Sequence, residues 1–163
     1  MPGTLSWPAS LDPLLLLTIT GDPSGQGSIR TFRNGGMAYP RATVDHRNRV
    51  IAELETAWHG RQPITAPVGV AVVFRYRRPD SHYWPRSRTR LPRTLLRDDA
   101  PRWPTAKNRA DTDKAQRLIG DALEIARVLD HDALIVQWRA EKLYAVTGST
   151  SLELFWPDEG NEL

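Results

Sequence analysis

The chain contains no cysteine, only two methionines and no long apolar run. The absence of cysteine excludes disulfides and thiolate metal sites, and it fits a reducing cytoplasm. The first apolar stretch runs from Leu14 to Ile19 and is interrupted by Thr18. It is too short to span a membrane, and no basic residue precedes it as a secretory signal would require. We therefore expect a soluble protein of the cytoplasm.

The length of 163 residues, with 40% hydrophobic and 25% charged residues, is typical of a globular protein. This length is enough for one hydrophobic core but not for two independent ones, so we predict a single domain over residues 1–163. Residues 1–13 contain three prolines and no periodic pattern, and we expect them to form a loose arm. Residues 157–163 form an acidic tail.

The net charge of +3 is small, but it is unevenly distributed. Residues 75–109 contain eleven Lys and Arg residues and three acidic residues, a local net charge of +8, so the rest of the chain carries −5. Within this stretch, residues 77–109 form a proline-rich and arginine-rich insert with interspersed aromatic residues. Such a segment suits a nucleic acid, because cations bind phosphates and aromatic rings stack on unpaired bases. A solvated loop is the alternative explanation.

The periodicity predicts an α+β domain with a mixed or antiparallel sheet and two main helices packed on it. Helices are predicted at 42–58 and 112–125. Strands are predicted at 14–20, 28–33 with a return at 37–39, 68–76, 134–142 and 151–156, the last as an antiparallel partner. His46 has charged neighbours in the first helix, and we expect it to be exposed.

Two acidic residues, Asp111 and Asp113, stand at the start of the second predicted helix. An aspartate is a favoured N-cap and interacts well with the positive end of a helix, which is a purely structural explanation for either residue. Because the pair straddles the helix start, however, the two carboxylates can converge, and converged carboxylates need a cation between them. Magnesium is typically held by one or two carboxylates together with water and substrate phosphate.

A third acidic residue, Asp132, precedes a predicted strand. The helix is about 20 Å long, and the seven residues that follow it reach at most about 25 Å. Asp132 can therefore just return to Asp111 of its own chain, or else it serves a site shared with another subunit. Together with Arg117, one turn after Asp113, these acids suggest a site for cutting a phosphodiester. Asp121 is expected to pair with Arg117.

The pattern from Asp111 to Asp132 resembles the signature of the RusA-type Holliday junction resolvases, which are crossover junction endodeoxyribonucleases. That signature has two aspartates separated by one residue, a lysine, an Asp-Ala-Leu sequence and then an acid-rich turn before a strand. The matching positions are Asp111, Asp113, Arg117, Asp121-Ala122-Leu123 and Asp132. A looser match covers the earlier chain, at Gly21-Asp22-Pro23, Arg30, Arg33 and Tyr39-Pro40.

The resemblance implies a Mg²⁺-dependent nuclease that resolves four-way DNA junctions in recombination and repair as a homodimer. It implies that Asp111, Asp113 and Asp132 are the catalytic metal ligands, with Arg117 in the position of the catalytic lysine. Arginine can bind phosphate but does not easily release a proton. The predicted DNA-binding residues are Arg30, Arg33, Arg86, Arg88, Arg90, Arg93, Lys107, Arg109 and Lys114.

Three substitutions depart from the family pattern: Arg117 for the lysine, Lys114 for an asparagine and His131 for a second acid. They leave open the alternative of a weakly active or inactive junction-binding protein of phage origin. A hydrolase of small phosphate esters is a third possibility, which the basic insert disfavours.

Overall fold

The computed structural model describes residues 12–26, 30–31, 37–84, 95–105 and 109–157. The predicted contact residues Arg33, Arg86, Arg88, Arg90, Arg93 and Lys107 lie outside these ranges, as do most of the predicted arm and tail. Arg30 lies within them, in a short strand whose backbone alone is described.

The architecture is α+β, as predicted, with a mixed sheet of four strands. These strands are β1 (Leu15–Thr20), β4 (Val68–Arg77), β5 (Ile135–Ala145) and β6 (Ser149–Phe155). The strands β2 (Arg30–Thr31) and β3 (Met37–Ala38) form a separate antiparallel ribbon. The order in the main sheet is β1-β6-β4-β5, with β4 and β5 parallel and the other pairs antiparallel.

The last strand is antiparallel, as expected, but it does not pair with the strand that precedes it in the chain. Instead β6 lies between β1 and β4, so that Leu152 pairs with Leu17 on one side and Val72 on the other. This central position explains its burial, since every residue of β6 after Ser149 is buried. Because β6 is buried on both faces, its sequence does not need to alternate strictly.

Two helices pack on the sheet: α1 (Arg41–Ala57) against β1, and α2 (Thr112–Ile125) against β5, and the helices also contact each other. The core uses alternate residues of β4, because successive side chains of a strand point to opposite faces. These residues are Val68, Val70, Val72, Phe74 and Tyr76. Neither helix in the described part of the chain combines the length and apolar content needed to cross a bilayer.

The prediction that His46 is exposed is wrong. His46 lies on the inner side of α1, in line with the buried residues Thr43, Val50 and Leu54, and is only 2% exposed. Burial, with a smaller contribution from the charge of Arg49, lowers its pKa from 6.5 to about 4. The imidazole is therefore neutral at neutral pH.

Candidate functional site

The helix α2 begins between the two aspartates of the motif. Asp111 occupies the N-cap position with an extended backbone (φ −62°, ψ 147°), and Asp113 lies in the first turn. The apolar residues that follow recur at helical spacing and are buried, which fixes the rotation of the helix against the sheet. They are Ala115, Leu118, Ile119, Ala122 and Leu123.

A second face of α2 lines a surface depression of about 270 Å³. The residues of α2 that line it lie at positions i, i+3, i+4 and i+7, which share one side of a helix. They are Asp113, Gln116, Arg117 and Gly120, and the opposite wall is formed by Asp132, Ile135 and Trp138. The depression thus brings Asp113 and Asp132, which are nineteen positions apart in the sequence, to one surface with Arg117.

Asp132 reaches this depression through the tight connection between α2 and β5. It begins a short 3₁₀ turn, Asp132–Leu134, and its backbone N–H donates to Glu124 Oε2 at 3.0 Å. A Cβ built on Gly120 would lie 3.9 Å from Asp132 Cβ. Asp132 therefore meets α2 near Gly120, which is about 10 Å along the helix axis from Asp113 and about 13 Å from Asp111.

Asp111 is not among the residues that line the depression. Its carboxylate makes no N-cap hydrogen bond and instead forms an ion pair with Lys114 Nζ at 3.0 Å. Both side chains are substantially exposed, at 66% and 44% respectively. The structure thus brings two of the three predicted acids together and places the third at the helix start, beside a lysine that we predicted to bind DNA.

The expected pairing of Asp121 with Arg117 is wrong. Asp121 Oδ2 accepts a hydrogen bond from Gln26 Nε2 at 2.7 Å, and Gln26 N–H donates to Lys114 O at 2.9 Å. These two bonds attach the segment after β1 along the length of α2. Burial raises the pKa of Asp121, and the nearby carboxylates of Asp132 and Glu124 raise it further, whereas Gln26 and Arg117 act in the opposite direction.

The donors around the depression suit a small, hard cation. Carboxylate oxygens are the protein ligands that magnesium prefers, and one or two of them are usually enough, because water and substrate phosphate complete the coordination. Asp113 and Asp132 provide two such groups. Among the described residues of this single chain, however, no three acidic or histidine side chains form a group that could hold a metal ion. The residues fit a two-carboxylate site.

Several residues of the depression were not predicted from the sequence. Gln116, Gly120, Ile135 and Trp138 carry no motif, and only the common face of α2 with Asp113 and Arg117 could have indicated the first two. A larger depression of about 980 Å³ lies around the ends of β1 and β4. Among its described lining residues Asp22 is the only acid, and it accepts a hydrogen bond from the Arg77 backbone N–H. The smaller depression, which has two carboxylates, is the better catalytic candidate.

The comparison with protein families agrees with this geometry. The family described as "Endodeoxyribonuclease RusA" matches residues 20–154, which include all four predicted catalytic residues and both helices. No match was found among curated proteins. The family match covers 135 of 163 residues, counted from its first to its last position. The chain therefore belongs to the RusA endodeoxyribonuclease family.

Proposed function

We propose that this protein is a Mg²⁺-dependent nuclease that resolves four-way DNA junctions, acting in recombination and repair on DNA in the cytoplasm. The observation that carries the proposal is that Asp113 and Asp132 line one depression, with Arg117 between them along α2. Two carboxylates that face one depression can share a cation, and a guanidinium on the same helix face is suited to a phosphate.

In this proposal Asp113 and Asp132 hold the metal together with Asp111, and the surrounding structure fixes the positions of Asp113 and Asp132. The backbone bond from Asp132 to Glu124 fixes the 3₁₀ turn, and the buried face of α2 fixes Asp113. A bound Mg²⁺ supplies charge neutralisation and activates water for attack on phosphorus. Arg117 binds the non-bridging phosphate oxygens and stabilises the negative charge that develops on them.

Arg117 acts in this scheme through its charge alone. A guanidinium remains protonated at any working pH, so it cannot serve as a general acid as a lysine in the same position could. Protonation of the leaving oxygen then falls to water. We expect Arg117→Lys to keep the phosphate contact and Arg117→Gln to lose it.

Asp111 is proposed as a third ligand because it stands at the start of α2, two residues before Asp113. Its ion pair with Lys114 does not prevent this role. Exposed ion pairs contribute about 0–1 kcal/mol, which is small compared with binding a divalent cation. Release of Lys114 from Asp111 would also free its ammonium group for a DNA phosphate.

Symmetric cleavage of a junction requires two cuts, and we propose that a homodimer related by a two-fold axis provides the two sites. Sedimentation equilibrium of the purified chain tests this directly. A chain that stays monomeric with and without junction DNA would contradict the proposed dimer.

The catalytic assignment is tested with a labelled four-way junction and Mg²⁺. Asp113→Asn and Asp132→Asn should abolish nicking, while binding in EDTA should be retained or strengthened, because each removes a negative charge from a DNA-facing surface. Asp45→Asn is the matched control, since Asp45 lies on α1 in an exposed pair with Arg41. Nicking by purified Asp113→Asn at the rate of this control would overturn the assignment.

The same experiment distinguishes the second candidate, a junction-binding protein without turnover. The substitution of Arg117 for the family lysine and the pairing of Asp111 with Lys114 favour this candidate. The unsubstituted protein would then bind the junction and produce no nicks at any Mg²⁺ concentration.

A further inference from the structure

A cluster of basic side chains lies where β4 ends and the insert begins. It consists of Arg78, His82 and Arg109, and we refer to it as the strand-end cluster. Arg78 directly follows β4, His82 ends the 3₁₀ turn Asp80–His82, and Arg109 stands two residues before the N-cap of α2. Two residues span at most about 7 Å of chain, so the cluster adjoins the start of the catalytic helix.

The two arginines are held by groups that do not neutralise them. Arg78 Cζ lies 4.4 Å from the ring centroid of Tyr144, and its Nη1 donates to Pro101 O at 2.8 Å. Arg109 Cζ lies 5.2 Å from the Tyr76 ring centroid, and its Nη2 donates to Arg77 O at 3.3 Å. In the described part of the chain neither guanidinium has a carboxylate within ion-pair distance. Two oriented positive charges thus remain available for an anion.

His82 lies within the field of these charges. Its ring contacts Tyr144 edge-on at 5.3 Å between centroids, so Arg78 and His82 share one aromatic neighbour. The buried Nδ1 of His82 has no hydrogen-bond partner among the described residues. Partial burial, then Arg78, Arg109 and Arg97, lower the pKa of His82, whereas Asp99 raises it. Asp99 is itself engaged by Arg97 through two bonds of 3.0 Å.

We propose that the strand-end cluster binds a backbone phosphate of the DNA beside the cleavage site, and that His82 takes up a proton when this phosphate binds. The proposal rests on the proposed function for the identity of the ligand as DNA. An anion placed between two guanidinium groups offsets their repulsion of an imidazolium, and the protonated ring then donates to the anion.

The sign of the pH dependence follows from this arrangement. In the free protein His82 is surrounded by Arg78, Arg97 and Arg109, faced by Asp99 and packed on the Tyr144 ring, and its neutral form is favoured. Bound phosphate favours the charged form, so the bound protein holds more protons in the window between the two pKa values. DNA affinity must then rise as the pH falls through that window.

The test is DNA binding measured by fluorescence anisotropy with a labelled junction in EDTA, from about pH 8 to about pH 6. We expect Arg78→Gln to weaken binding about tenfold, as for loss of one charge-assisted hydrogen bond. For Arg78→Gln, the slope of log K against log salt concentration should become shallower by about 0.9. Arg78→Lys should restore most of the affinity, and His82→Asn should remove most of the gain in affinity at low pH.

Arg61→Gln is the matched control. Arg61 also stacks on an aromatic ring, with its Cζ 3.6 Å from the Trp58 centroid. It precedes the start of β4, whereas Arg78 follows the end of this strand, which is about 30 Å long. We expect its binding and salt slope to equal those of the unsubstituted protein. Thermal unfolding of each variant identifies any loss of affinity that is due to misfolding.

A histidine NMR titration provides a readout that does not depend on activity. The His82 ring signal, assigned by its absence in His82→Asn, should shift its midpoint to higher pH on addition of the junction.

Inorganic phosphate at equal phosphate concentration is the second probe, and an equal shift would assign the cluster to free phosphate and overturn the DNA assignment. Unchanged affinity and salt slope in both Arg78→Gln and His82→Asn would also overturn the proposal, while nicking by the same proteins would leave the nuclease function intact. Conversely, pH-linked binding without nicking would contradict only the nuclease function.

Discussion

The glycine in the middle of α2 offers a test in which the structure decides both the sign and the size of the effect. A Cβ at Gly120 would lie 3.7 Å from Ile135 Cδ1, 3.9 Å from Asp132 Cβ and 3.9 Å from Trp138 Cζ2, all ordinary contacts. Gly120→Ala should therefore fit without strain. Alanine is favoured over glycine in a helix interior by about 0.8–1 kcal/mol, and a buried methyl group adds up to about 0.8 kcal/mol.

We expect Gly120→Ala to stabilise the protein by about 1–2 kcal/mol, which for a chain of this size raises Tm by about 2–8 °C. Gly60→Ala is the control with the opposite sign. Gly60 has φ +74° and no neighbour within 4 Å of an added Cβ, so alanine there costs about 1–2 kcal/mol in backbone strain alone. Urea unfolding of both variants measures the difference. Destabilisation by Gly120→Ala would contradict the described packing of α2 on Asp132 and Trp138.

A larger side chain at position 120 tests the site as well as the helix. Leucine is a good helix former, but its side chain would enter the depression between Asp113 and Asp132. We expect Gly120→Leu to remain folded and to lose nicking, whereas Gly120→Ala retains it. Equal nicking by the two variants would contradict the location of the catalytic site.

Two further predictions concern stability. The pKa of His46 is about 4 in the folded protein and 6.5 in the unfolded chain, so the unfolded state binds more protons below pH 6.5. The free energy of unfolding should therefore fall by about 2 kcal/mol between pH 7 and pH 5. His46→Leu should remove this loss, measured by urea unfolding at the two pH values. Gly69→Ala should destabilise the protein by about 1–3 kcal/mol, because the added Cβ would overlap the Phe155 ring across the β4–β6 pair; a Tm equal to that of the unsubstituted protein would contradict the register of these strands.

Local patterns were sufficient to predict the elements that carry the site. The apolar residues of α2 recur every three or four positions, and β4 begins with the apolar run from Val68 to Phe74, so both could be located from neighbouring residues alone. The observed bounds, Thr112–Ile125 and Val68–Arg77, agree with the predicted helix and extend the predicted strand by one residue. The acids at the start of α2 and before β5, and the family resemblance they carry, were also evident from sequence spacing.

Contacts between distant segments could not be predicted in this way. Nothing local to β6 indicates that it inserts between β1 and β4, because that choice depends on the burial of all three strands together. The charged neighbours of His46 suggested exposure, yet the rotation of α1 is set by its apolar face, which includes His46. Likewise, Asp121 bonds Gln26, which is 95 positions away, because the segment after β1 packs along α2.

The sequence by itself determined the fold class, the positions of the two helices and the acidic residues available for chemistry, because these follow from the periodicity and spacing of neighbouring residues. Only the tertiary structure decided which acids line one depression: the turn after α2 returns Asp132 to Gly120, at the depression it shares with Asp113, and leaves Asp111 with Lys114. The connection between α2 and Asp132 is long enough for Asp132 to reach either end of α2. The packing of α2 against β5, which involves residues throughout both elements, selected one of them.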